Sequence, residues 1–116
     1  MAIPEIVRRG ALQKVEAYCE RKVPAHARHE VRAEATVSGD AITIFERRAP
    51  WSADGGLDWS RRKVAQLRYD QAAARWSLWW ADRNGRWLAY PPFNAAPDIE
   101  AAIAAVEHDR SGAFWG

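Results

Sequence analysis

Arginine interleaved with aromatic rings is the combination in this chain that could do chemistry. A guanidinium is a flat fork of donors that grips a carboxylate or phosphate through two bonds and can also lie flat on a ring. Of 17 basic residues all but Lys14, Lys22 and Lys63 are arginine, and there are seven tryptophans. The densest stretch is Arg75 to Pro91, RWSLWWADRNGRWLAYP. Arginine beside abundant alanine is also what a GC-rich coding sequence produces, so position rather than number must carry the argument. The formal charge of +2 is too small to imply a nucleic-acid partner by itself.

Other chemistries find little purchase. The acidic candidates Glu34, Glu46, Asp54, Asp58, Asp70 and Asp82 show no pair whose spacing demands general acid–base work. There is no nucleophile-elbow string, no phosphate-binding glycine loop and no zinc signature. His26 and His29 have H-x-x-H spacing, but no third ligand accompanies them, so they read as a connector and strand start. Cys19 cannot form an internal disulfide and falls on the apolar side of a predicted helix, as a small buried hydrophobe. No catalytic residue, metal ligand or cofactor is assigned. A metal-dependent nuclease or small hydrolase built on scattered carboxylates is the reading these patterns would miss.

The elements that must position the arginines follow from periodicity. A helix over about Pro4 to Lys22 carries Ile3, Val7, Ala11, Val15 and Tyr18 on one stripe. Two strands, His29–Val37 and Ala41–Arg48, turn at Ser38-Gly39-Asp40. Their alternation sets Val31, Ala33, Ile42 and Ile44 on one face and Arg32, Phe45 and Arg47 on the other. The loop Ala49–Ser60 holds Trp51 and Trp59, expected to anchor it to the body. A third strand, Arg62–Tyr69, places Arg62, Val64, Gln66 and Arg68 opposite Ala65, Leu67 and Tyr69.

Asn84-Gly85 then predicts a two-residue type I′ turn, because both central positions need positive φ. In that register Arg83 faces Arg86 with Asp82 as counterion, Trp80 faces Ala89, and Trp79 faces Tyr90. A one-residue change of loop length would swap the faces. Pro91-Pro92 ends the sheet. A second helix spans about Pro97 to His108, with Ile99, Ala102, Ile103 and Val106 inward, and the rings of Phe114 and Trp115 are expected to tuck into the core. The order is α-β-β-β-β-β-α. It specifies a single α+β domain over residues 1–116, a five-stranded antiparallel meander with its N-terminal and C-terminal helices packed on one face.

Several strings together, VPAHARHEVR, ERRAPW, VAQLRYD, DRNGRW and SGAFWG, resemble a family of short bacterial single-domain proteins of uncharacterised function. The likeness spans roughly residues 20–116 and implies no activity, cofactor or site residue.

Function is therefore read from surface chemistry. Arg32, Phe45, Arg47, Arg62, Arg68 and Trp76 are the candidate binding residues of the sheet face, and Arg83, Arg86 and Trp87 those of the hairpin tip. The expected role is a small non-catalytic module for protein interaction or self-association, such as a homodimer. Single-stranded nucleic acid is the alternative, since rings between arginines can stack bases and hold phosphates. No apolar run approaches a membrane span, and charges stand where a signal peptide needs an apolar run, so a cytoplasmic setting is expected.

Overall fold

Proline at position 4 has no N–H to leave unpaired, and its fixed φ of −53° leads directly into helix α1, Glu5–Lys22. The computed structural model describes residues 2–50 and 58–116. Trp51, Asp54, Gly55 and Gly56 of the long loop lie outside them. Ala11, Val15, Tyr18 and Cys19 form the buried stripe of α1, and the helix ends at Val23, held extended by the proline that follows. A short 3-10 turn at Ala25–Ala27 precedes strand β1, Val31–Ser38. The strand begins two residues later than its sequence pattern suggests, because the Glu30 N–H is bonded to the Ala27 carbonyl at 3.0 Å.

Strands β2 (Ala41–Arg48), β3 (Ser60–Asp70), β4 (Arg75–Ala81) and β5 (Trp87–Ala89) follow in chain order to make a five-stranded antiparallel meander. Helix α2, Ile99–His108, lies beside α1 on the same face, as the alternation requires. Both helices close over Ile42, Ile44, Ala65, Leu67, Trp76 and Leu78. Beyond β5 the chain turns at Pro91-Pro92 and returns so that Ala96 pairs with Trp76, with N···O distances of 2.7 and 3.0 Å. That bridge covers the part of β4 that the short β5 leaves unpaired.

One irregularity redirects half of β3. Ile44 pairs with Ala65 but Phe45 pairs with Lys63, so Val64 is an extra residue in the ladder. Val64 and Ala65 are both buried. From Lys63 back to Ser60, side-chain alternation is inverted relative to a regular strand.

The C-terminal segment completes the core. Asp98 caps α2 by accepting the Glu100 N–H at 3.1 Å. Asp109 ends it in the left-handed region, and its carboxylate accepts the N–H groups of Phe114 and Trp115 at 3.0 and 2.9 Å. This folds the tail back: Phe114 is fully buried against Tyr90, with ring centroids 4.9 Å apart. Trp115 is half-buried and its indole Nε1 donates to the Tyr18 hydroxyl at 2.9 Å.

Cys19 is buried in the α1 stripe, and that burial, with Glu16 and Glu34 adding to it, pushes its thiol up to about 12. A neutral, inaccessible thiol is a poor nucleophile. Thiol reagents are therefore expected to label Cys19 only as fast as the protein opens, with fast labelling restored by denaturant. Rapid labelling under native conditions would show that α1 is not docked.

Candidate functional site

The sheet face turned away from the helices gathers Arg32 and Glu34 from β1 with Thr43, Phe45 and Arg47 from β2. β3 adds Arg61, Lys63, Gln66 and Arg68, β4 adds Ser77, Trp79 and Ala81, and β5 adds Trp87. Rings on this face are covered by cations. The Arg61 guanidinium lies 3.9 Å from the centroid of Phe45, and that of Arg68 lies 3.8 Å from Trp79. Arg32 stands 4.4 Å over Trp59, and the Lys63 ammonium 5.5 Å over Trp87. Significant cation–ring contacts occur about once per 70–80 residues in proteins generally, so four on one face of this chain is a concentration.

Hydrogen bonds fix these cations further. Gln66 donates to the Thr43 hydroxyl at 3.0 Å and accepts from Arg68 Nε at 2.7 Å. Beneath that guanidinium the Trp79 indole donates to Ser77 at 2.9 Å. Arg32 Nε donates to the Arg28 carbonyl at 3.0 Å. Arg47 lies 3.6 Å from Glu34, and its buried Nε has no hydrogen-bond partner among the described residues. Phe45 is only 7% exposed although it stands outside the helix-side core, so Arg61 and its neighbours serve as its cover.

Of the nine sequence-derived candidates, Arg32, Phe45, Arg47, Arg68 and Trp87 share this face, Arg83 and Arg86 belong to the hairpin tip, and two stand on the helix side. Trp76 is 2% exposed in the core under the helices, against Tyr69 at 4.9 Å, because the helix-covered side of β4 is the one that holds Leu78. Arg62 is turned to the helix side by the extra residue at Val64. There it meets Glu46 at 3.3 Å and donates to the carbonyls of Phe114 and Trp115 at 3.1 and 3.5 Å. Arg61 and Lys63 take the positions that regular alternation gives to Arg62 and Val64. The signal for this was present: Val64-Ala65 is a consecutive apolar pair that breaks the alternation. Trp79 stands on the open face because the side of β4 that holds Trp76 and Leu78 is the helix-covered one.

The hairpin tip also differs from its sequence expectation. Trp79 pairs with Ala89, Trp80 with Leu88 and Ala81 with Trp87. The loop is one residue longer than a two-residue type I′ turn. Gly85, at φ +78°, donates its N–H to the Asp82 carbonyl at 2.9 Å, and the Asp82 N–H donates to Arg86 at 2.9 Å. This is a turn closed by a left-handed glycine, a three-residue hairpin solution. Asp82, not Arg83, thus faces Arg86, and the like-charge pair does not form. The shifted register brings Trp87 to the side of Trp79.

Four of the acidic candidates, Glu34, Glu46, Asp70 and Asp82, have structural partners. Asp82 accepts the N–H groups of Asn84 and Arg86 at 2.8 and 2.9 Å. The Arg86 N–H above all, then that of Asn84 and the Arg86 charge, hold its carboxyl below the ordinary range. Glu46 lies between Arg48 and Arg62, and Asp70 accepts the N–H groups of Ala72 and Ala73. Among the described residues no three of His, Cys, Asp or Glu converge as a metal site; His29 sits 3.5 Å from Glu30.

The chain belongs to the family described as a domain of unknown function, DUF3024, which matches residues 3–116. The match takes in α1 as well as the span from residue 20 onward. No curated protein and no solved structure matches the chain.

Two outcomes follow from this geometry. Replacing Arg62 with alanine is expected to destabilise the fold by about 1–3 kcal/mol in urea unfolding, since charge-assisted bonds to Glu46 and the tail are lost together. No change would mean that Arg62 does not hold the tail. Because the Asp82 value lies below its ordinary 3.8, the order it lends to the tip is complete above that pH and is lost as pH falls through the depressed value. Amide exchange at Asn84 and Arg86 should accelerate on that acidification and lose its pH step in Asp82→Asn. Tip amides indifferent to protonation of Asp82 would contradict this.

Proposed function

We propose that this member of the DUF3024 family is a non-catalytic binding module that docks an acidic segment of a partner protein on the open face of its sheet. The observation that carries this reading is the set of four cation–ring stacks, Arg32 on Trp59, Arg61 on Phe45, Lys63 on Trp87 and Arg68 on Trp79. A guanidinium held over a ring has already lost much of its rotamer freedom, so gripping a carboxylate costs less ordering than it would for a free arginine. The N–H groups it does not spend within the protein remain donors for a carboxylate.

Charge and access favour an acidic protein over the other occupants. Two copies joined by this face would set Arg32, Arg47, Arg61, Lys63 and Arg68 against themselves, with Glu34 as the carboxylate among them, which is a repulsive arrangement. Single-strand binders stack bases on open rings, whereas here the rings lie under cations. Four of the acidic candidates, Glu34, Glu46, Asp70 and Asp82, are engaged in turns and ion pairs, which supports a module without catalysis. A buried free thiol at Cys19 fits a cytoplasmic setting.

The test is fluorescence anisotropy with a labelled peptide of mixed Glu and Asp, beside an oligo-dT of equal charge. The peptide is expected to bind, and Arg61→Gln with Arg68→Gln to weaken it by about tenfold, roughly 1.4 kcal/mol. Circular dichroism of the double variant should stay native. Absence of peptide binding overturns the reading. Tighter binding of the oligonucleotide, with a steep loss of affinity on adding salt, would replace it with nucleic-acid recognition.

A further inference from the structure

At one end of the open face, β3 and the hairpin tip enclose a shallow cleft of about 500 Å³ whose lining includes Arg61, Lys63, Ala81, Asp82, Arg83 and Gly85. Its charge is one-sided. Asp82 is occupied by the N–H groups of Asn84 and Arg86 and lies 3.5 Å from the Arg86 guanidinium, so its negative charge already has a partner. Arg61 and Arg83 form no ion pair among the described residues. Lys63 is steadied from two sides: its ammonium donates to the Gly85 carbonyl at 2.7 Å and stands over Trp87. An ammonium has three donors, which leaves others for a ligand.

We infer that this cleft seats a phosphate monoester, carried as a phosphorylated side chain within the acidic segment bound by the open face. The inference rests on the proposed binding role and adds the group that the segment must bear. A phosphate monoester has about −1.5 to −2 charge at neutral pH and three acceptor oxygens, one for each of Arg61, Lys63 and Arg83, whereas a carboxylate brings one charge and two oxygens. Ala81, paired with Trp87, contributes only a methyl group to the cleft lining. Glycine at position 85 also matters: a Cβ there would stand 3.7 Å from Lys63 Nζ, and the φ of +78° disfavours any side chain. The tip thus holds its conformation while presenting a bare backbone to the cleft.

Three versions of one labelled Glu/Asp peptide, with a central serine, phosphoserine or glutamate, decide the matter. The phosphoserine peptide is expected to bind about tenfold more tightly than either of the others. Arg83→Ala, which removes no hydrogen bond or ion pair among the described residues, should erase that advantage by weakening the phosphoserine peptide about tenfold more than the serine peptide. Equal affinity of the phosphoserine and glutamate peptides overturns the inference, as does an advantage that survives Arg83→Ala. If none of the peptides binds, the docking role fails, and inorganic phosphate on the bare protein still judges the cleft. Millimolar phosphate, but not acetate, should shift the NMR signals of the Lys63 side chain and the Trp87 indole in the native protein and not in Arg83→Ala. Absence of such shifts removes the site altogether. A 5′-phosphorylated oligonucleotide that outcompetes the phosphopeptide would keep the phosphate and reject the protein partner.

Discussion

The extra residue at Val64 is the constraint on which the two faces of this protein depend. Val64 and Ala65 both turn into the core, and the alternation of β3 before them is inverted. Arg61 and Lys63 consequently stand on the open face beside Phe45 and Trp87. Arg62, between them in sequence, reaches in the opposite direction to Glu46 and the carbonyls of Phe114 and Trp115. A regular strand would turn Arg62 and Val64 to the open face and Arg61 and Lys63 to the helix side. It would leave Glu46 and the C-terminal segment without their guanidinium and Phe45 without its cover. One added backbone position thus couples the anchoring of the tail to the chemistry of the opposite surface.

A sheet with rings on both sides ordinarily has a second layer over its second side. Here arginine side chains serve that purpose. Their guanidinium groups lie over the rings, Arg61 on Phe45 and Arg68 on Trp79. Phe45 is buried in this way on a face that no helix covers. The same contact that shields the ring orients the guanidinium, so stability and binding capacity arise from a single packing arrangement. The network from Thr43 through Gln66 to Arg68 over Trp79 extends this across three strands.

Loop length at the tip has a similarly wide effect. A two-residue turn at Asn84-Gly85 would oppose Arg83 to Arg86 and move Trp87 to the helix side of the sheet. One more residue in the loop instead opposes Asp82 to Arg86, satisfies the loop N–H groups with the Asp82 carboxylate, and brings Gly85 within reach of Lys63. Side chains alternate with period two, so a single-residue choice decides which face of the sheet Trp87 takes.

The sequence by itself determined the element order, the antiparallel meander, the placement of both helices on one face and the inward stripe of each helix. These follow from local periodicity, proline positions and turn residues, which act over a few neighbours. It also set Arg32, Phe45, Arg47 and Arg68 together on the face away from the helices, whereas Trp87 reaches that face only through the register of the tip. Tertiary structure decided what local pattern leaves degenerate. The inversion at Val64, the three-residue tip and the burial of Trp76 instead of Trp79 each turn on a one-residue shift that both alternatives satisfy nearly equally along the chain. Contacts distant in sequence separate them: Phe45 needs a cover from β3, the carbonyls of Phe114 and Trp115 need a donor, and Trp76 fits beneath the helices beside Tyr69 while Ala96 pairs with its backbone.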